Sequence, residues 1–236
     1  MMYDWTIILL IPAMIFSLWA SASVNSTFKK YAQQRPLCGM TGAQAARRVL
    51  DANGLQHIRI EHIPGELTDH YDPKANVIRL SDAVYDNAST AAIGVAAHEA
   101  GHAIQHAVGY APIRLRTAIV PVTNIGSKLS MPLIIIGLVL AAAGNTGADI
   151  GITLAFLGVI CFSMCVLFQL VTLPTEFNAS RRALAAIQDC GLLSYEELAG
   201  SRKVLRAAAM TYVAALATAI MQLLRLIIIV AGRSRD

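Results

Sequence analysis

Ala88-Ser-Thr-Ala-Ala-Ile-Gly-Val-Ala-Ala-His98-Glu99-Ala-Gly-His102-Ala-Ile-Gln-His106 holds one acidic residue, Glu99, in an otherwise apolar run punctuated by histidines. No proline interrupts Ala91 to Val108. Asn87, Ser89 and Thr90 offer N-cap side chains, and Gly109 with Pro112 can end the run, so the stretch predicts one helix. On a helix His98 and His102 stand one above the other and can hold one metal ion together. Glu99 falls about a third of a turn away, beside the ion, where the base for an attacking water belongs. Zinc suits two imidazoles, one oxygen ligand and an open water position. Histidine and glutamate are costly in so apolar a helix unless something pairs with them. His106 lies one turn past His102 and is expected to support the site or face solvent, not to bind the ion. Gln105 and Val108 stand where the extended metzincin pattern needs glycine and histidine, which excludes that pattern.

The rest of the chain places this helix beside a membrane. Of 236 residues, 56% are apolar and only 14% charged, against about 25% charged in soluble domains. Four apolar stretches account for the difference: Met2–Ala22, Leu129–Ala143, Ile150–Leu173 and Ala207–Ala231, the last interrupted by Gln222 and Arg225. Tyr3, Trp5 and Trp19 mark the ends of the first stretch as an aromatic belt would. Ala20-Ser21-Ala22 imitates a signal-peptide cleavage site, but Met-Met-Tyr-Asp lacks the basic lead such peptides carry. Lys29, Lys30 and Arg35 follow instead, which favours an uncleaved anchor with its N-terminus outside.

Residues 24–128 hold eleven Lys/Arg, residues 174–206 hold five, and the Gly144–Asp149 turn holds none. By the positive-inside rule the first two regions are cytoplasmic and the turn external. Arg233 and Arg235 argue against an external tail, so the orientation of the last segment stays open. The net charge of +4 follows from this bias and suits an anionic leaflet. No aromatic-interleaved basic patch points to nucleic acid. Cys38, Cys161, Cys165 and Cys190 make no disulfide framework.

The expected fold is a mainly α integral membrane protein with about four apolar membrane segments and a small α+β cytoplasmic domain. Its divisions are an anchor (1–23), a cytoplasmic domain with the histidine helix (24–128), and a transmembrane hairpin (129–173). A cytoplasmic helical segment (174–206) and a last transmembrane or interfacial helix with its tail (207–236) follow. Within 24–128, Thr41 caps a helix over Gly42–Asn53, and Ile58, Ile60 and Ile63 alternate with polar residues as a short strand. Asn76–Leu80 reads as a second strand, whose free edge is a candidate place for an extended peptide to pair. Ile113–Lys128 suits a segment hugging the membrane surface.

Two histidines leave zinc short of one protein ligand. Asp149 falls on the far side of the membrane. Glu196 and Glu197 follow Ser194 as a solvated first turn with a capping box. Glu176 comes directly after the third apolar stretch, and Pro174 can open a fresh helix there. On that helix Glu176, Ser180, Ala183 and Ile187 share a face. Glu176 is therefore the carboxylate of choice, with Glu196 and Glu197 as alternatives.

H-E-x-x-H followed by a glutamate on a later helix resembles the gluzincin arrangement, and transmembrane segments between the halves resemble membrane gluzincins of the HtpX kind. The likeness is closer still to the bacterial neutral zinc metallopeptidases of the YugP type. It rests on Leu67-Thr-Asp-His-Tyr-Asp-Pro73, Val77-Ile-Arg-Leu-Ser81, Val95-Ala-Ala-His-Glu-Ala-Gly-His-Ala-Ile-Gln105 and Glu176-Phe-Asn-Ala-Ser-Arg-Arg-Ala183. Gly39-Met-Thr-Gly42 and Leu50-Asp-Ala-Asn-Gly-Leu55 extend it over most of the chain. The resemblance implies a zinc peptidase of the bacterial cytoplasmic membrane, with one zinc per chain held by His98, His102 and Glu176 and with Glu99 as catalytic acid/base. One position departs: many membrane gluzincins carry aspartate four residues after the ligand glutamate, and here Ser180 stands there. A hydroxyl accepts the same hydrogen bond without supplying charge.

The function expected is hydrolysis of peptide bonds near the cytoplasmic membrane surface by Glu99-assisted attack of a zinc-activated water, on membrane proteins or juxtamembrane segments. His70, Tyr71, Arg181, Arg182 and Tyr195 are candidate donors to the oxyanion. The rival is a membrane scaffold or adaptor with a structural zinc site, and Glu99 argues against it, since a structural site has no use for a base. Partners are the lipid bilayer and a peptide or protein substrate, with room for a homo-oligomer or a membrane adaptor.

Overall fold

A computed structural model of the chain describes residues 5–143 and 147–233. A 3-10 turn at Trp5–Leu10 leads into α1 (Ile11–Tyr31) and α2 (Gly42–Ala52). Three strands follow, β1 (Arg59–Ile63), β2 (His70–Asp72) and β3 (Val77–Ser81), then α3 (Thr90–Ala107), α4 (Ala111–Ala142), α5 (Gly147–Asp189) and α6 (Tyr195–Arg233). Tyr3 of the expected belt, residues 144–146 of the expected external turn, and Arg235 lie outside the described residues. The chain divides into two compact units, one of Met1–Trp19, Leu115–Leu173 and Tyr212–Asp236, the other of Ala20–Arg114 and Pro174–Thr211.

The first unit is helical and apolar. Among the described residues four helices, Trp5–Tyr31, Ala111–Ala142, Ala148–Asp189 and Tyr195–Arg233, are long and apolar enough to cross a membrane. Glycine draws α4 and α5 together: a Cβ on Gly137 would stand 2.5 Å from the carbonyl of Gly151, and one on Gly158 would stand 2.7 Å from that of Ser130. Small residues at such crossings let backbones approach where lipid removes the hydrophobic incentive to pack. Ile134, Ala155, Val159, Leu226 and Val230 fill the interior, while Trp5, Ile8, Leu18, Ile135 and Ile160 point outward.

Two expectations change here. The helix that contains the second apolar stretch starts at Ala111, so Ile113–Lys128 is already part of α4, which runs through Pro121 and Pro132. Pro174 opens no fresh helix, because α5 continues through it to Asp189. A proline removes one backbone donor and crowds one carbonyl. The remaining ladder of a long, packed helix survives that loss.

The second unit is α+β. Thr41 caps α2 with a full capping box, accepting from Gln44 N while Gln44 returns a bond to the Thr41 backbone. The sheet has the order β1-β3-β2, with β1 parallel to β3 (Arg59 opposite Val77) and β2 antiparallel to it (His70 opposite Arg79). β3 is thus the central strand, with no free edge to offer; β2 is one of the outer strands. The polar Thr68–Asp72 cluster becomes the lead into and body of β2 because its carboxylates are tied across to β3. Asp69 accepts from the Ser81 backbone N–H (2.8 Å) and hydroxyl (3.0 Å), and Asp72 from Arg79 (3.1 Å). Val49, Leu50, Ile78, Leu80, Ile93, Ile187 and Leu198 form one core that joins α2, the sheet, α3, and the parts of α5 and α6 in this unit.

Candidate metal centre

Ser89 accepts from Ala92 N at 3.2 Å and starts α3, which is buried along most of its length. That burial is possible because α3 carries almost no side-chain bulk where other helices cross it. A Cβ on Gly101 would stand 2.7 Å from the carbonyl of Ala179, and one on Gly94 would stand 3.0 Å from the side chain of Ser201. Gly101 lies one residue before His102, and Ala179 lies three after Glu176. The close crossing of α3 and α5 therefore brings the three polar side chains together.

His98, His102 and Glu176 lie within 4.8 Å of one another by their ligand atoms. Glu176 Oε2 is 3.3 Å from His98 Nε2 and 3.5 Å from His102 Nε2, with the two rings crossing at 83°. Charge-assisted N–H···O bonds settle near 2.7–2.9 Å, so these separations are long for an ion pair. They fit the edge of a tetrahedron around zinc, about 3.3 Å for bonds of about 2.0–2.1 Å. Glu176 is 2% exposed, and a carboxylate so deeply buried needs a positive partner.

The far side of each imidazole is fixed as well. Gln105 Nε2 donates to the Thr175 carbonyl (2.8 Å) and to Asn178 Oδ1 (2.9 Å). Both amide hydrogens are then spent, so Gln105 Oε1, 3.1 Å from His102 Nδ1, must accept. That leaves the proton of a neutral His102 on Nδ1 and a lone pair on Nε2, turned toward Glu176. Ser180 Oγ stands 3.2 Å from His98 Nδ1 and can do the same for that ring. Arg182 Nε donates to Asn178 Oδ1 at 2.8 Å, anchoring the chain of bonds, and its guanidinium lies over the Tyr110 ring. Glu99 is 8% exposed. Burial opposes protonation of His102, yet the Glu176 bond and the charges of Glu99 and Glu176 outweigh it, so its pKa rises above the ordinary histidine value.

The other sequence candidates scatter. Tyr71 meets His106 edge-on at 5.6 Å between ring centroids. His70 is exposed, with Nδ1 2.9 Å from the Thr68 carbonyl and Nε2 3.4 Å from Arg79. Arg181 is exposed beside Phe177 and Arg202. Tyr195 is 83% exposed at the start of α6. Glu197 is occupied in the expected capping box with Ser194 and also accepts from Leu37 N at 2.7 Å. Among the described contacts, none of these reaches the three clustered ligand atoms. Sequence reasoning missed Gln105 and Asn178. Gln105 carried the same signal as the histidines, a polar side chain in an apolar helix, three residues after His102.

The family model described as "Putative neutral zinc metallopeptidase" matches residues 6–231. The chain is 46% identical over 223 residues to the "Putative membrane protease YugP" of Bacillus subtilis, covering 94% of this chain and 95% of that protein. The chain belongs to this neutral zinc metallopeptidase family. No solved structure matches it.

Proposed function

We propose that the protein is a membrane-bound zinc endopeptidase in which His98, His102 and Glu176 hold one zinc ion and Glu99 is the catalytic acid/base. The observation that carries this reading is the spacing of Glu176 Oε2 from the two Nε2 atoms, 3.3 and 3.5 Å, with Ser180 and Gln105 behind them to hold each ring. A bound zinc ion supplies Lewis acidity toward the scissile carbonyl and makes water acidic enough to attack near neutral pH. Glu99 takes the proton from the attacking water and delivers it to the leaving amine. Ser180 and the Gln105–Asn178–Arg182 chain hold each ring at Nδ1 and keep its Nε2 aimed at Glu176. A helical Glu-donor downstream of H-E-x-x-H is the gluzincin arrangement, and Ser180 here does with a hydroxyl what an aspartate does elsewhere.

Glu176 follows the apolar run ending at Leu173 by three residues, within one turn of chain from the bilayer segment. We therefore place the substrates among membrane proteins and their juxtamembrane segments, and the lysine and arginine bias puts the site on the cytoplasmic side. β2, an outer strand of the sheet that contacts α3, offers an edge for an extended peptide in place of β3.

The test is cleavage of unfolded β-casein by detergent-purified, zinc-loaded protein. Cleavage abolished both by 1,10-phenanthroline and by Glu99→Gln supports the reading. Cleavage that persists in Glu99→Gln, or zinc-loaded wild type inert on casein and on a peptide library, contradicts it and favours a scaffold.

A further inference from the structure

Beside the metal centre, α5 and α6 form an open groove of about 510 Å³ lined by residues from 177 to 209, among them Ser180, the partner of His98. Its lining combines apolar Phe177, Leu184 and Leu205 with Arg181, Arg202 and Arg206. All three arginines are exposed, and among the described residues none of them is in an ion pair. Three guanidiniums sharing one groove with apolar side chains, Phe177 among them 42% exposed, make an arrangement that is costly until an anion with an apolar body fills it. Both walls lead directly into apolar runs: the α5 run ends at Leu173 and the α6 run starts at Ala207.

We propose that this groove binds an anionic phospholipid, its phosphate held by Arg181, Arg202 and Arg206 and its acyl chain laid over Phe177, Leu184 and Leu205. Guanidinium forks match phosphate oxygens two at a time. Basic pockets at the ends of membrane helices are suited to acidic headgroups. A zwitterionic lipid presents the same phosphate but brings a cation into a rim that already holds three, so the site discriminates by charge. The inference does not depend on catalysis.

The experiment is native mass spectrometry of the full-length protein released from mixed phosphatidylglycerol and phosphatidylcholine micelles, zinc-loaded and metal-stripped. Wild type should retain phosphatidylglycerol in preference to phosphatidylcholine in both metal states. Arg202→Gln/Arg206→Gln should weaken that retention at least about tenfold. Lys29→Gln/Lys30→Gln, which removes the same charge from an exposed site on α1, should leave it unchanged. A photoactivatable phosphatidylglycerol should label α5 and α6 between residues 177 and 209. Equal retention of phosphatidylcholine, equal loss in the two double variants, or labelling elsewhere would overturn the proposal. Displacement by glycerol phosphate as readily as by lipid would mean a site for soluble anions. Capture of an acidic peptide that phosphatidylglycerol cannot displace would reassign the groove to a protein ligand.

Discussion

At the residue scale, Gln105 decides which nitrogen of His102 is free. Replacing it with leucine keeps the volume and removes the acceptor, so His102 can tautomerise and turn. We expect Gln105→Leu to weaken zinc binding by about 10–100-fold, measured by competition with a chromophoric chelator; unchanged affinity would mean the bond is incidental. The raised pKa of His102 sets the pH dependence. Zinc requires the neutral imidazole, so affinity should be full on the alkaline side and begin to fall while the pH is still above about 6.5. In the metal-free protein the sign reverses. A raised folded-state pKa contributes stability that is fully present below the unfolded value and lost as pH rises through the folded one. Melting of chelator-treated protein should therefore be highest on the acid side of this window as far as His102 contributes, and His102→Gln should flatten that component.

At the scale of elements, the centre depends on how closely α3 meets α5. A side chain at Gly101 would push against the Ala179 carbonyl, already 2.7 Å from an ideal Cβ, and backbone cannot step aside as a flexible side chain can. We expect Gly101→Val to cost about 1–3 kcal/mol of stability and to lose zinc, because Glu176 rides on the displaced helix. Gly109→Ala is the contrast. It strains a left-handed backbone (φ +65°) but meets nothing within 4 Å, so it should lower stability while keeping zinc. Zinc stoichiometry alongside thermal melting separates the two. Much of this layer was legible in the sequence because its signals are local: Ser89 and Thr41 cap helices, and the alternation of Ile58, Ile60 and Ile63 foretold β1. β2 was not, since His70-Tyr71-Asp72 has no alternation and is made a strand by partners on β3. Pro174 misled for a related reason: what keeps α5 intact lies in its neighbours, not in its own residues. That His98, His102 and Glu176 come together was legible, because buried charge in an apolar helix demands a partner, whereas the Gln105–Asn178–Arg182 chain depends on a helix crossing that sequence spacing does not encode.

For the whole molecule, composition alone separates apolar runs from the charged α+β part, and lysine and arginine counts predict a side for each. What composition could not give is that single helices serve both units, with the divisions falling inside α1, α4, α5 and α6. Cys38 tests that predicted side, since it is exposed and unpaired in the charged part. In a variant where Cys161, Cys165 and Cys190 are serine, a membrane-impermeant maleimide should label Cys38 in inverted vesicles and leave it untouched in intact cells. Labelling of intact cells would place the metal centre outside.

We propose that one zinc ion is held by two histidines of α3 and a glutamate of α5. The most direct measurement is the zinc content of detergent-purified protein under metal-replete conditions, wild type beside His98→Ala, Glu176→Ala and Glu99→Gln. Wild type and Glu99→Gln should carry about one zinc per chain, with loss or sharp weakening in the other two. Full zinc in Glu176→Ala, or none in the wild type, would contradict it.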